Sequence, residues 1–122
     1  MIFASRTCST ILGSLIHELG HAIGFWHEHS RPDRDSYIRI QTNNIWPDKL
    51  ENFQKLPLTE VDMLGTSYDY DSIMHYGPKA FTKNSLPTLS VRDSSYQGTI
   101  GQRLRLSKTD VRQANLLYGC GE

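Results

Sequence analysis

The segment HELGHAIGFWHEH, residues 17 to 29, places four histidines and two glutamates within thirteen positions. His17 and His21 are four residues apart, so on a helix both rings project from one face. Two imidazole nitrogens placed in this way can reach one zinc ion at about 2.0–2.1 Å. Glu18 lies about 100° around the helix from His17. From there it can act on a metal-bound water without being a ligand.

A third ligand requires the helix to stop soon after His21. In a continuous helix His27 would lie roughly 9 Å further along the axis and on the wrong side. Gly24 can adopt the positive φ angle that a reversal needs. His27 can then close the set and leave one position for water, which is the pattern of a catalytic zinc site. His29 competes for this role, because residues 27 and 29 of an extended segment point the same way; the spacing from the glycine favours His27.

Composition excludes several classes of partner. Thirteen basic and thirteen acidic residues cancel, so no charge excess points to nucleic acid or an anionic membrane. No apolar run approaches the ~20 residues of a membrane span. A chain of 122 residues suffices for one domain with one core. The two cysteines, Cys8 and Cys120, are as consistent with a bridge as with free thiols.

An apolar pattern predicts a helix around the first two histidines. The segment ILGSLIHELGHAI follows a polar cap at about Ser9 or Thr10, and Gly24 is a natural stop. The start MIFASRTCSTILGSLI is interpreted as the lead-in to this helix, because no small-residue cleavage site separates it from the histidines. Apolar residues at three- to four-residue spacing give the helix one apolar face: Leu12, Ile16, Leu19 and Ile23.

The rest of the chain predicts few regular elements. HSRPDRDSY is a charged loop, and YIRIQ alternates like a short strand. Pro47 opens a short helix, PDKLENFQK, with Leu50 and Phe53 directed inward. Residues 57 to 105 are rich in Gly, Pro, Ser, Asn and Asp, so we expect mostly irregular structure there.

A second helix is predicted near the end of the chain. Ser107, with Asp110 three residues later, forms a start that resembles a capping box. Gly119 is the expected stop. The apolar face of this helix comprises Val111, Ala114, Leu117 and Tyr118. Together these elements predict a loop-rich α+β chain with two helices.

Several stretches resemble a known family. The string His17-Glu18-x-x-His21-x-x-Gly24-x-x-His27 resembles the metzincin clan of zinc endopeptidases. GFWHEHSRPDRD at 24–35 and YDYDSIMHYG at 68–77 look like the astacin family within that clan, and the second matches its Met-turn. IGQRLRLSKTDVRQANLLYGC at 100–120 is similar to the closing helix and cysteine of that family. Tolloid-type members are among the relatives that the resemblance suggests.

The resemblance implies a fold and a reaction. The fold is an α+β, metzincin-type lower half of a zincin catalytic domain, with the active-site helix and a loop-rich C-terminal subdomain that ends in a helix. His17, His21 and His27 would bind one Zn²⁺ ion. Glu18 would be the general base that takes a proton from zinc-bound water and passes it to the leaving amine. The implied activity is hydrolysis of peptide bonds in protein substrates.

Three more residues match positions with roles in the family. Met74 would form an apolar floor beneath the metal, and Tyr76 would be an additional, detachable ligand that swings toward the developing oxyanion. Without the resemblance, both are interpreted as core residues. Glu28 matches the glutamate that binds the N-terminus of the mature enzyme; in the absence of that partner we expect it to pair with Arg31 or to meet water.

The resemblance covers only part of the family's catalytic domain. An N-terminal half, whose edge strand pairs with the substrate backbone, has no counterpart. We therefore expect residues 1–122 to be a single truncated catalytic domain, with three alternatives: a truncated product, a partial gene model, or one piece of a longer protein that carries the missing half or further domains. The family's cysteines at the positions of Cys8 and Cys120 bridge to that half, so here they would be unpaired or paired with each other. Loss of that half would expose Leu and Ile side chains of helix 11–23. Each exposed side chain would forgo the ~1.5–3 kcal/mol of stabilisation that its burial contributes.

The leading hypothesis is therefore a zinc-dependent endopeptidase, which the resemblance implies to be secreted. An alternative is a catalytically inactive zinc-binding or interaction module, and a third is a helical fragment without metal. Arg103 and Arg105 are candidates for a substrate subsite that prefers an acidic residue just after the cut. The alternative for this pair is a solvated basic loop.

Overall fold

The computed structural model describes residues 5–96 and 98–121, with side chains from residue 10 onward. The described part contains two α-helices, α1 (Ser5–Ala22) and α2 (Lys108–Tyr118), and two strands, β1 (Ile38–Ile40) and β2 (Leu89–Val91). Short 3₁₀ helices lie between them, at Glu28–Ser30, Arg34–Ser36, Thr42–Asn44, Pro47–Phe53 and Ser94–Tyr96. The predicted loop-rich α+β organisation with two helices is confirmed.

Helix α1 begins earlier than predicted and ends where predicted. It is already helical at Ser5, so the predicted cap at Ser9 or Thr10 is wrong. Serine and threonine cost only a few tenths of a kcal/mol within a helix, so they did not interrupt this one. At the other end Gly24 has φ +104°. The amides of Gly24 and Phe25 donate to the carbonyls of His21 and Gly20 at 3.0 and 2.9 Å, which is a Schellman motif.

The apolar side of α1 faces away from the rest of the described chain. Leu12, Leu19 and Ile23 are 56, 63 and 40% exposed, so the expected exposure of these Leu and Ile side chains is confirmed. The side of α1 that packs against the chain carries Gly13, His17 and Gly20, all of which are buried. Because these residues are small or polar, hydrophobic periodicity alone does not identify this contact face.

A small sheet supports the core. Strand β1 confirms the strand predicted in YIRIQ, and it pairs antiparallel with β2 in the register Ile38↔Val91 and Ile40↔Leu89. Strand β2 lies within the region expected to be mostly irregular. Its partner lies about fifty residues earlier in the chain, so local sequence carries little signal for it. The buried core cluster comprises Ile38, Tyr68, Tyr70, Leu89 and Ile100.

The short helix predicted at Pro47 is present as a 3₁₀ helix, Pro47–Phe53. Phe53 is buried, as predicted, with 4% of its surface exposed. Leu50 is 41% exposed, so its predicted inward position is wrong. In a 3₁₀ helix Leu50 lies one turn, about 6 Å, before Phe53 along the axis, and its side chain reaches solvent there.

Helix α2 has the predicted ends. Ser107 and Asp110 form a complete capping box, and Gly119 closes the helix in a left-handed conformation with φ +62°. The predicted apolar face is only partly right, because Val111, Leu117 and Tyr118 are more than two-fifths exposed. Tyr118 instead donates its hydroxyl to the carbonyl of Ile23 at 2.8 Å, which ties the end of α2 to the end of α1. None of the described helices is long and apolar enough to cross a membrane.

Candidate metal centre

Three histidine rings converge at the end of α1. His17, His21 and His27 each offer a ring nitrogen, and these atoms all lie within 4.8 Å of one another. The Nε2 atoms of His21 and His27 are 3.1 Å apart. The ring centroids are separated by 4.8 Å for His17 and His21 and by 5.3 Å for His17 and His27. The helix stop at Gly24 therefore returns His27 to the pair on the helix, as the spacing predicts.

Backbone carbonyls orient the two helical rings. His17 Nδ1 donates to the carbonyl of Ile73, and His21 Nδ1 donates to the carbonyl of Phe25, both at 2.8 Å. A carbonyl oxygen only accepts hydrogen bonds, so Nδ1 carries the proton in each neutral ring. The Nε2 lone pair of each ring is then available at the common point, and the carbonyl partner fixes the ring orientation.

Burial favours the neutral form of two of the rings, those of His27 and His17. Burial, together with the charges of the neighbouring histidines, lowers the pKa of His27 to about 3. Burial also lowers the pKa of His17, against the hydrogen bond to Ile73. A neutral imidazole is the form that binds a metal ion. The electrostatics of the site therefore favour cation binding over protonation.

The donor set fits zinc. Three neutral imidazoles suit this borderline-soft ion, and catalytic zinc sites use three protein ligands. Two nitrogens bound at about 2.0–2.1 Å around a tetrahedral ion are separated by roughly 3.4 Å. The His21–His27 separation of 3.1 Å is close to this value. The residues present thus match the group that the sequence predicts.

Met74 lies against α1 between the two helical histidines. Its side chain is buried, with 1% of its surface exposed. A Cβ added at Gly20 would lie 2.6 Å from Met74 Sδ, so any larger residue at this position would require the buried Met74 side chain to shift. The amide of Glu28 donates to the Met74 carbonyl at 3.1 Å, which attaches the segment after His27 to the same turn.

Tyr76 and Glu18 flank the histidines. The half-buried ring of Tyr76 lies 4.6 Å from the ring of His27. Burial raises the pKa of the Tyr76 phenol, against the opposing charge of Arg103. Glu18 is exposed on α1, and its charge acts on both His17 and Arg103. Both side chains therefore adjoin the centre.

His29 lies outside the group of three that could hold a metal. It is fully buried, and its Nε2 donates to the carbonyl of Asn52 at 2.8 Å. Its ring is 5.5 Å from that of His27 and 3.9 Å from that of Tyr76. His29 thus packs behind the site, and its bond to Asn52 directs Nε2 away from the other three histidines.

Glu28 pairs with Arg31, as one of the two expectations had it. Arg31 Nη1 is 3.6 Å from Glu28 Oε1, and the amide of Asp69 donates to the same oxygen at 2.8 Å. Burial raises the pKa of Glu28 to about 8, against the charge of Arg31. Glu28 and Arg31 line a cavity of about 210 Å³ that also reaches Met74.

The two candidate subsite arginines are in different environments. Arg103 Nη1 donates to the carbonyls of His75 and Gln102 at 3.0 and 2.8 Å, and its charge acts on His17, His27 and Tyr76. Arg105 Nη1 forms an exposed ion pair with Asp71 at 2.8 Å. The structure therefore brings Arg103, and not Arg105, next to the histidines.

Sequence reasoning did not single out His75. Its buried ring donates from Nδ1 to the carbonyl of Tyr76 and accepts from the Tyr68 hydroxyl at Nε2, both at 2.7 Å. Burial lowers the pKa of His75 to about 4, which keeps the accepting nitrogen unprotonated. His75 therefore holds the backbone at Tyr76. Its place between Met74 and Tyr76 is the only signal in the sequence for this role.

Of the two cysteines, only Cys120 has a described side chain. Cys120 is exposed and has no disulfide partner among the described residues. The side chain of Cys8 lies outside the described residues. Of the two alternatives from the sequence, free thiols or a mutual bridge, neither is therefore confirmed by the described residues.

The fold and the three converging histidines are the features that the sequence predicts for the class of zinc metalloendopeptidases. Residues 1–119 match the family model Astacin, which is described as a peptidase family. The chain therefore belongs to the astacin family, a zinc-dependent family of peptidases, as the sequence predicts.

Relatives by sequence cover most of this chain. Zinc metalloproteinase nas-14 of Caenorhabditis elegans is 47% identical over 110 residues, which are 90% of this chain and 22% of that protein. Tolloid-like protein 2 of Homo sapiens is 50% identical over 111 residues, which are 88% of this chain and 11% of that protein. The chain thus spans less than a quarter of the length of either relative.

A solved structure confirms the fold class. The chain resembles High choriolytic enzyme 1, a hatching enzyme zinc-protease from Oryzias latipes (medaka), with a TM-score of 0.83 and 43% identity. The match covers 89% of this chain and 53% of that one. The α+β, metzincin-type fold class predicted from the sequence is therefore confirmed.

Proposed function

We propose that this chain carries the zinc centre of an endopeptidase that hydrolyses peptide bonds of protein or peptide substrates. His17, His21 and His27 would hold one Zn²⁺ ion through Nε2. The observation that carries the proposal is the convergence of these three nitrogens within 4.8 Å. When bound, zinc would supply Lewis-acid activation of water and of the scissile carbonyl.

Glu18 is proposed as the general base. It follows the first histidine on α1, and its exposed carboxylate acts electrostatically on His17. An exposed carboxylate can take a proton from the attacking water and later return it to the leaving amine. Proton transfer of this kind contributes typically 10²–10⁴-fold to rate.

Tyr76 is proposed as an additional ligand that can detach and stabilise the oxyanion. Its ring lies beside His27, and burial raises the pKa of its phenol, so the hydroxyl stays protonated as a donor. A hydroxyl donor directed at developing negative charge lowers the barrier. Met74 is proposed as the apolar floor, which its contact with Gly20 supports.

Arg103 is proposed as the subsite residue for an acidic side chain just after the cut. Its half-buried guanidinium adjoins the centre, whereas Arg105 is already paired with Asp71. A guanidinium binds a carboxylate through paired N–H groups.

Further domains and a secreted location are proposed from family membership. The relatives are four to nine times longer than their matched segments. In these relatives most of the chain lies outside the matched segment and can form additional domains.

One experiment separates catalysis from metal binding alone. Purified protein is assayed for bound zinc by atomic absorption and for cleavage of an unfolded protein such as casein. We expect one zinc per chain, and cleavage that a chelator abolishes and added zinc restores. His21→Ala should remove both the zinc and the cleavage. If the protein takes up zinc but does not cleave casein, the inactive zinc-binding module is supported instead. If zinc uptake is absent or does not depend on His21, the metal centre is overturned.

A further inference from the structure

A buried carboxylate connects α2 to the turn beneath the histidines. Asp110 has 1% of its surface exposed. One oxygen, Oδ1, accepts from Ser72 Oγ at 2.6 Å. The other, Oδ2, accepts from the amides of Ile73 and Ser107, both at 2.9 Å. A capping box needs only the last of these bonds. The other two reach a turn 37 and 38 residues earlier in the chain.

This turn leads directly to the first histidine. The carbonyl of Ile73 accepts the Nδ1 hydrogen of His17 at 2.8 Å. Ser72 Oγ, which donates to Asp110, accepts the amide of Met74 at 3.0 Å. Asp110 therefore holds the peptide units at Ile73 and Met74, one directly and one through a hydroxyl. The carbonyl of Ile73 bonds to His17, and the side chain of Met74 packs against Gly20, so both residues contact α1.

A charged acceptor is well suited to this position. Hydrogen bonds to an ionised carboxylate are shorter and stronger than bonds between neutral groups. The N-terminus of α2 further stabilises the negative charge of Asp110. Ser72 is fully buried and Ser107 is 4% exposed, so few water molecules can replace these bonds. The turn is therefore held in one arrangement.

We propose that Asp110 is a positioning residue of the metal centre. Acting through Ser72 and Ile73, it holds the Ile73 carbonyl where it selects the Nδ1-protonated form of His17 and directs Nε2 toward the other two histidines. This inference rests on the proposed role of His17 as a metal ligand. It assigns Asp110 a second role besides capping α2.

Two serines offer a matched test, because each loses one buried hydroxyl on substitution by alanine. Ser72→Ala removes one of the two hydrogen bonds between Asp110 and the turn, together with the bond from the Met74 amide, and leaves only the Ile73 amide on Asp110. Ser107→Ala removes the side-chain half of the α2 cap and a bond to Asp69, and leaves both bonds between Asp110 and the turn in place. Residues that orient metal ligands typically contribute 10–100-fold to metal affinity. We expect zinc affinity to fall about tenfold or more in Ser72→Ala and less than about threefold in Ser107→Ala. Competition with a chromophoric chelator measures both, with folding checked by circular dichroism.

Asp110→Asn provides a second readout that does not depend on bound metal. The imidazole ¹⁵N shifts of His17 report which nitrogen is protonated. We expect the metal-free wild type to show a single Nδ1–H form and the variant to show a mixture of the two tautomers. This readout also decides the question if Ser72→Ala does not fold.

The outcomes separate the two proposals. Wild-type protein that binds no zinc overturns the metal centre itself. Wild-type protein that binds zinc, with equal losses in Ser72→Ala and Ser107→Ala, overturns the positioning role and leaves the metal centre intact. An unchanged His17 tautomer in Asp110→Asn also overturns the positioning role.

Discussion

Met74 Sδ lies 2.6 Å from the point where a side chain on Gly20 would begin. Gly20 lies between His17 and His21 on α1, and the absence of a Cβ lets the buried methionine side chain approach the helix this closely. The contact sets the distance between α1 and the turn that bonds to His17. A glycine inside a helix usually destabilises it by about 1 kcal/mol relative to alanine. Here the close approach accounts for its presence.

We predict that Gly20→Ala destabilises the protein despite the better helix propensity of alanine. Overpacking of this kind typically costs about 1–3 kcal/mol, and displacement of the turn should also weaken zinc binding. Urea unfolding measures the loss. In a Met74→Ala background the same substitution should cost little, because the clashing sulfur is gone. Additive losses in this double-mutant cycle would contradict the proposed contact.

Glu18→Gln tests the proposed general base. We expect kcat to fall by roughly 10²–10⁴-fold, while zinc content stays the same because Glu18 is not among the grouped ligands. Casein cleavage and atomic absorption on the same sample check the two parts. Glu51→Gln, an equally conservative change at an exposed position, should leave both values unchanged. Full activity in Glu18→Gln would exclude this mechanism.

The sequence predicts the metal centre better than it predicts the packing. The geometry of His17, His21 and His27 follows from helix periodicity and one glycine stop, both of which are local properties. The capping box at Ser107 and Asp110 is equally local, and the structure contains it. Local rules of this kind need no knowledge of the tertiary fold.

The contacts that were not predicted join residues distant in sequence. Gly20 meets Met74, Glu28 meets the amide of Asp69, and strand β2 pairs with β1 across fifty residues. The charged loop after His29 is a further example. Its Arg31 and Arg34 are 8% exposed, because their guanidinium groups donate to backbone carbonyls of other segments. A charge pattern alone indicates solvent for such residues.

The stability of the protein should depend on pH through Asp69. Burial raises the pKa of this carboxyl from 3.8, against hydrogen bonds from Ser107 and the Asp71 amide. A raised pKa in the folded state contributes stability below pH 3.8 that is lost as the pH rises through the folded value. We therefore expect Asp69→Asn to match the wild type near pH 3 and to gain relative stability as the pH rises above 3.8. Urea unfolding at both ends of this range checks the sign, and a gain at low pH only would contradict it.

The exposed side of α1 should tolerate polar substitution. Leu19 is 63% exposed, so Leu19→Gln should change the free energy of unfolding by no more than about 0.5 kcal/mol. Phe53→Ala, at a buried position, should cost about 3–5 kcal/mol. Chemical denaturation of the two variants provides the comparison. A large loss in Leu19→Gln would mean that this side of α1 is covered in solution.

Arg103 should determine the preference for an acidic residue after the cut. Arg103 adjoins the histidines and donates to the His75 carbonyl, whereas Arg105 is paired with Asp71 at the surface. Peptide pairs that differ only in Asp or Asn at this position measure the preference as a ratio of kcat/KM. We expect Arg103→Gln to reduce the ratio about tenfold, which corresponds to a loss of ~1.4 kcal/mol of binding free energy for the acidic side chain. Arg105→Gln should leave the ratio nearly unchanged. An equal effect of both substitutions would instead indicate a general field of positive charge around the site.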